Sequence, residues 1–168
     1  MRGPENTPVG ALRRINISNI IVYNADSRFS SIISGIPGYE IEDVLLSNIH
    51  IWYKPIDPEN TKIPVEVPEY EKSYPEPQKF GIIPAYGFFI RHVNNINLDN
   101  VTLSVLGTEI RPAIRLIDVN GAQFRNVSLQ KSKTVPLVIL QDVQNLIIKD
   151  CSSLKDVRIK NVKEKSIK

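Results

Sequence analysis

Apolar and polar residues along this chain follow one arrangement that returns several times. Residues 12–22 read LRRINISNIIV, and the same order recurs at 41–51 (IEDVLLSNIHI), 93–103 (VNNINLDNVTL) and 119–129 (VNGAQFRNVSL). It returns more weakly at 143–153 (VQNLIIKDCSS) and 154–164 (LKDVRIKNVKE). The shared template is apolar-x-x-apolar-x-apolar-x-Asn-apolar-x-apolar. Its eighth position holds Asn19, Asn48, Asn100, Asn126 and Asn161, with Asp150 in the remaining copy. Alternation on both sides of the Asn is a period of two, which predicts two short strands with their apolar faces inward. Between them the chain must turn tightly, and Asn accepts the left-handed backbone conformation better than any residue except Gly. Aligned Asn side chains of successive copies would then hydrogen-bond along the stack.

The eighth positions are 29, 52, 26, 24 and 11 residues apart. Internal periods of this size mark repeat architectures. One coil of roughly 22–29 residues accounts for four of the spacings, with 52 equal to two coils or to one coil carrying an insertion. The last, 11, is too short for a full turn and predicts a frayed or incomplete end. A third apolar segment precedes the copies at residues 29–34, 88–92, 113–117 and 137–140. Three short strands per turn predict an all-β, three-sided parallel β-helix of about five to six coils, forming a single domain over residues 1–168. A leucine-rich repeat would need a helical segment in each unit, and no 3.6-residue periodicity is present. An antiparallel sandwich would leave the recurring Asn without a reason.

Residues 52–86 abandon the pattern and hold seven of the twelve prolines, which predicts a long irregular insertion. Trp52, Tyr53, Tyr70, Tyr74, Phe80 and Tyr86 lie in it. Such side chains pack, either over the solenoid flank or against sugar rings.

Composition narrows the function classes. The formal net charge is only +3, and the one basic bias is the lysine-rich C-terminal end, residues 155–168, so no nucleic-acid partner is expected. No apolar run is long enough to span a membrane, and the first residues carry no signal-peptide core. With one cysteine, Cys151, neither an internal disulfide nor a cysteine zinc site can form, and neither a metal nor a cofactor is expected.

Five segments carry a family resemblance: residues 2–13 (RGPENTPVGALR), 31–38 (SIISGIPG), 74–77 (YPEP), 80–92 (FGIIPAYGFFIRH) and 111–113 (RPA). Together they resemble the C-terminal portion of the polygalacturonase-like glycoside hydrolases (family 28), bacterial members especially. The resemblance covers roughly residues 2–130. It implies a right-handed parallel β-helix, hydrolysis of pectic polysaccharides and a typically secreted or periplasmic protein. It also implies an Asn-Thr-Asp, an Asp-Asp, a Gly-His-Gly and an Arg-Ile-Lys motif, because an inverting glycosidase needs one carboxylic acid and one carboxylate across the ring. The first three are missing here. Arg158-Ile159-Lys160 spells the fourth, inside the weakest copy, where two exposed cations flanking an inward Ile explain it.

No catalytic residue can therefore be assigned. Substrate contact is expected from Tyr74, Glu76 and Tyr86 in the insertion and from Arg91 and His92 on the following strand, with a pectic polysaccharide or oligosaccharide as ligand. Arg91 could instead pair with Glu76, and His92 could serve as a hydrogen-bonded structural residue. An open first coil would expose strand edges and apolar core, so a partner chain or self-association is expected at that end.

Overall fold

A computed structural model describes residues 7–73, 76–132 and 134–168 of the chain. The elements are β1 (Arg13–Ala25), β2 (Ser31–Ser34), β3 (Ile41–Tyr53), α1 (Pro77–Phe80), β4 (Phe88–Val105), β5 (Ile114–Leu129), β6 (Val138–Lys149) and β7 (Val157–Ile167). They form one sheet in the order β1-β3-β4-β5-β6-β7, with β2 also paired to β4. Every pairing is parallel except the last, β6 with β7. The protein is thus all-β, with a mostly parallel sheet that does not close into a barrel.

The sheet register follows the sequence template. Ile15, Val44, Ile96, Ala122 and Leu146 stand in one row across five strands, and Ile17, Leu46, Leu98, Phe124 and Ile148 in another. From β3 onward these side chains are buried to 3% exposure or less, forming the core. Since β3 pairs directly with β4 (Ile41 beside Val93), the 52-residue spacing is one step across the sheet with an insertion. The short third segments are in the same ladder: Ser31–Ser34 lies on residues 88–91, which lie on 114–117 and those on 138–141.

Strands this long contribute to one core because they bend. Left-handed residues sit in three rows: Arg14, Asp43, Asn95, Gly121 and Asn145; Asn19, Asn48, Asn100 and Asn126; and His92, Asp118 and Asp142. Each such residue turns the strand and shifts its alternation by one position. From Ile90 to Leu103 the residues that β4 sends into the main core therefore run Ile90, Val93, Ile96, Leu98, Val101, Leu103, skipping a beat at every bend. The second row is tied by side-chain amides. Asn48 Nδ2 donates to Asn19 Oδ1 (3.1 Å), Asn100 to Asn48 (2.9 Å) and Asn126 to Asn100 (3.0 Å). In the first row Asn95 donates to Asp43 (2.7 Å), and Asn145, meeting no side chain at Gly121, reaches Asn120 instead (2.9 Å).

Three expectations are corrected. The sixth copy is not frayed: β7 runs antiparallel along β6, with Ile159 beside Leu146 and Val162 beside Val143. The regular parallel copies stand 24–29 residues apart, eleven residues cannot bring the chain round to a parallel strand, and it reverses instead. Asn161 consequently lies beside Gln144 and outside the asparagine row. Finally, the insertion starts later than residue 52, because Trp52 and Tyr53 continue β3 and pair with Ser104 and Val105.

The insertion folds over the outer side of the sheet. There Val67, Ile83 and Phe89 form a second apolar cluster, with Ile32, Phe80 and Ile117 packed against it. Where the chain turns from β2 to β3 it passes so close to β4 that a Cβ on Gly35 would meet the His92 carbonyl oxygen at 2.5 Å.

Replacing Asn100 separates the two roles of a bend residue. Asn100→Ala loses both ladder bonds and puts Cβ into the left-handed region, and should cost about 2–3 kcal/mol. Asn100→Gly keeps the bend and should cost about 1 kcal/mol. Urea titrations with unchanged m-values are expected to show that order in the midpoints.

Candidate functional site

The charged residues nearest the insertion converge on the start of β4. His92 and Asp118, neighbours in the third row of bends, bring His92 Nδ1 to 2.7 Å from Asp118 Oδ2. This is the same cross-strand contact between bend residues that the asparagines make. His92 Nε2 faces Glu69 Oε1 of the insertion at 3.2 Å. Both ring nitrogens of His92 thus face carboxylate oxygens, one on the neighbouring strand and one on the insertion.

Arg91 completes the cluster from the adjacent position. Its side chain is 2% exposed, and every contact is to protein. Nε donates to Ser34 Oγ (2.7 Å), Nη1 to the Val67 carbonyl (2.7 Å) and Nη2 to the Pro68 carbonyl (2.9 Å). Nη1 also pairs with Glu69 Oε1 at 3.1 Å. Burial pulls the guanidinium pKa down while Glu69 pushes it up. The Arg91 guanidinium lies over the rings of Phe89 and Phe80 (5.5 and 6.0 Å). Glu69 Oε1 thus meets both Arg91 and His92, and its buried Oε2 has no hydrogen-bond partner among the described residues.

A second buried arginine works in the same way. Arg111 meets both carboxylate oxygens of Glu109 (2.9 and 2.6 Å) and donates through Nη1 to the Ser27 and Ile83 carbonyls (2.8 and 3.1 Å). A cleft of about 340 Å³ opens beside this pair, between residues 105–111 and 130–137, away from His92. Its two buried ionic groups, Glu109 and Arg111, are turned toward each other. Both arginines use their planar forks to hold backbone carbonyls of irregular chain against the sheet.

No family model, no curated protein and no solved structure matches the chain.

Of the five expected contact residues, the structure brings only Arg91 and His92 together. Tyr74 lies outside the described residues. Glu76 is exposed at the N-terminus of α1 and makes no side-chain capping bond, and the partner of Arg91 is Glu69. Tyr86 is 3% exposed, its ring edge-on to Tyr53 (5.8 Å between centroids) and its hydroxyl donating to the Leu103 carbonyl (3.4 Å). Its ring belongs to the core, and what remains uncovered lines the cleft beside Glu109 and Arg111, away from His92. Arg158 and Lys160 are exposed on either side of buried Ile159. Cys151 follows β6, and burial pushes its thiol pKa up, the reverse of an activated nucleophile. Among the described residues no group of three His, Cys, Asp or Glu is placed to hold a metal.

The members that sequence reading missed differ in how visible they were. Asp118 could have been found, since His92, Asp118 and Asp142 each stand just before the first apolar position of a copy. Nothing in its local sequence marks Glu69, whose role depends on where the insertion lands.

Two outcomes follow from this geometry. Arg91→Leu should cost about 2–4 kcal/mol, by leaving three acceptors and Glu69 without their donor. Amide exchange should rise first in the insertion around Val67, and Arg91→Lys should not restore protection, because an ammonium lacks the fork. Burial raises the hydroxyl pKa values of Tyr53, to about 12, and of Tyr86. The stability that Tyr53 contributes is full below the unfolded value of about 10 and is lost as pH climbs through about 12, and that of Tyr86 is lost at higher pH still. A spectroscopic titration should show these two ionising late, together with unfolding, after the exposed tyrosines.

Proposed function

We propose that this chain is a right-handed parallel β-helix of the polygalacturonase-like kind, acting as a non-catalytic part of a pectin-type glycoside hydrolase. The fold reading is supported by three rows of left-handed residues in register across parallel strands and by the asparagine row that links four of them. The function reading rests on one observation: the charged cluster beside the insertion directs its donors at protein acceptors. Arg91 holds Ser34, Val67, Pro68 and Glu69, while His92 lies between Glu69 and Asp118. Such an arrangement fastens a loop. Its two carboxylates, Glu69 and Asp118, are both turned to His92, which suits an anchor better than an acid and a base set across a sugar ring. Contact with pectic polysaccharide falls instead to the open side of the insertion, where Glu76 and Tyr70 are exposed.

The test is direct. The purified chain should release no reducing sugar from polygalacturonate or rhamnogalacturonan above a mock preparation carried through the same steps. Release that survives further purification would overturn the reading.

A further inference from the structure

Arg91 and Arg111 are committed to protein acceptors, and a third arginine near them is not. Arg115 lies in β5 between Ile114 and Leu116, whose side chains are fully buried, so its own points to the outer side of the sheet. Across the strands its row runs Ile32, Phe89, Arg115, Ile139 and Ser166. The apolar cluster under the insertion takes in Ile32 and Phe89 but not Ile139, so the cover ends near Arg115. Among the described residues this half-buried side chain has no hydrogen bond and no ion pair, and its Nε is closed off from solvent without an acceptor. A donor buried in that way is costly. Burial pulls the guanidinium pKa down, while Glu66 of the insertion and Glu164 of β7 push it up from a distance. Beside Arg115 a cleft of about 360 Å³ opens along residues 139–141 and 164–166.

We propose that this cleft binds a carboxylate that carries hydroxyl groups beside it, with Arg115 as the anchor. A guanidinium presents a planar edge, one Nε–H and one Nη–H, that matches the two oxygens of a carboxylate. Arg111 shows this pairing inside the same molecule, where Nε and Nη2 meet the two oxygens of Glu109 at 2.9 and 2.6 Å. In Arg115 the corresponding edge has no acceptor among the described residues. The surrounding charges choose between anions. Lys165 lines the cleft and adds to the attraction, whereas Glu164 in its wall and Glu66 near Arg115 oppose it. Two such neighbours repel a doubly charged phosphate about twice as strongly as a singly charged carboxylate. Gln141 and Ser166 bring an amide and a hydroxyl to the same cleft, and both can pair with ligand hydroxyls. Ile139 stands between Arg115 and Ser166 and gives the cleft an apolar floor.

The inference goes beyond the proposed function and stands whether or not the chain belongs to a pectin hydrolase. Two sources carry this chemistry, a free hydroxy acid and the uronate unit of an acidic saccharide. NMR titrations of the isotope-labelled full chain at low salt separate them, because screening is then weakest. Galacturonate should shift the Arg115 Nε–H signal and the amides of residues 139–141 and 164–166. Galactose, the same ring without the charge, should shift neither, and phosphate should bind more weakly than galacturonate. Gluconate matching galacturonate points to a free hydroxy acid, and galacturonate well ahead of gluconate points to the saccharide. Arg115→Gln should weaken binding by about tenfold or more. The same variant should keep the urea midpoint of the wild type, because no hydrogen bond of the free protein is lost, in contrast to Arg91→Leu. The proposal is overturned if neither acid shifts these signals at tens of millimolar, or if galactose or phosphate binds as well as galacturonate. Shifts that persist undiminished in Arg115→Gln overturn it, and so does a fall in that variant's urea midpoint as large as that of Arg91→Leu, which would make Arg115 a third anchor.

Discussion

An asparagine that turns a strand through the left-handed region does two things at once. Its backbone makes a corner that most side chains resist, and its amide carries both a donor and an acceptor in the plane where the next strand arrives. In this protein the second property links Asn19, Asn48, Asn100 and Asn126 head to tail across four strands. Corners in register keep the apolar rows in register, and those rows are the core. A slip of one residue would break the amide row and expose Leu46, Leu98 and Phe124 together, so hydrophobic burial and polar pairing specify the same alignment.

The buried arginines solve a different problem. A proline-rich segment has few backbone donors to offer a sheet, yet its carbonyls still need partners when they are covered. Arg91 and Arg111 supply them from below, each balanced by a carboxylate in direct contact, Glu69 and Glu109. The apolar contacts of Val67, Ile83 and Phe89 then hold the insertion flat. Charge at this place is mainly a matter of anchoring.

Much of this was legible in the sequence, and the failures have definite causes. The eighth template position announced a corner because Asn there interrupts the alternation of apolar residues. The third position is a corner too, occupied by Arg14, Asp43, Asn95, Gly121 and Asn145, but its residue types vary and it hides in the two unconstrained places of the template. His92 invited a functional reading by its place after the insertion, although its row makes it a bend residue beside Asp118. Tyr86 was drawn into the expected binding surface by its proline-rich surroundings, and its ring packs edge-on to Tyr53 with its hydroxyl on the Leu103 carbonyl instead. Glu69 was invisible because its role depends on how thirty-odd irregular residues come to rest, and no local period records that.

The feet of the insertion are pinned separately from its body. At one foot the Lys54 amide bonds the Ala25 carbonyl; at the other, Gly87 and Phe88 bond that of Ala113. The alignment of Ile41 with Val93 is as regular as that of Val93 with Val119, although twice as many residues separate the first pair. Strand pairing is therefore indifferent to what the chain does between its feet. Closing a longer excursion costs only slowly more entropy, so residues between these anchors can lengthen, shorten or change in composition while the lattice beneath keeps its spacing. The fold separates a part that must repeat from a part that is free to diverge.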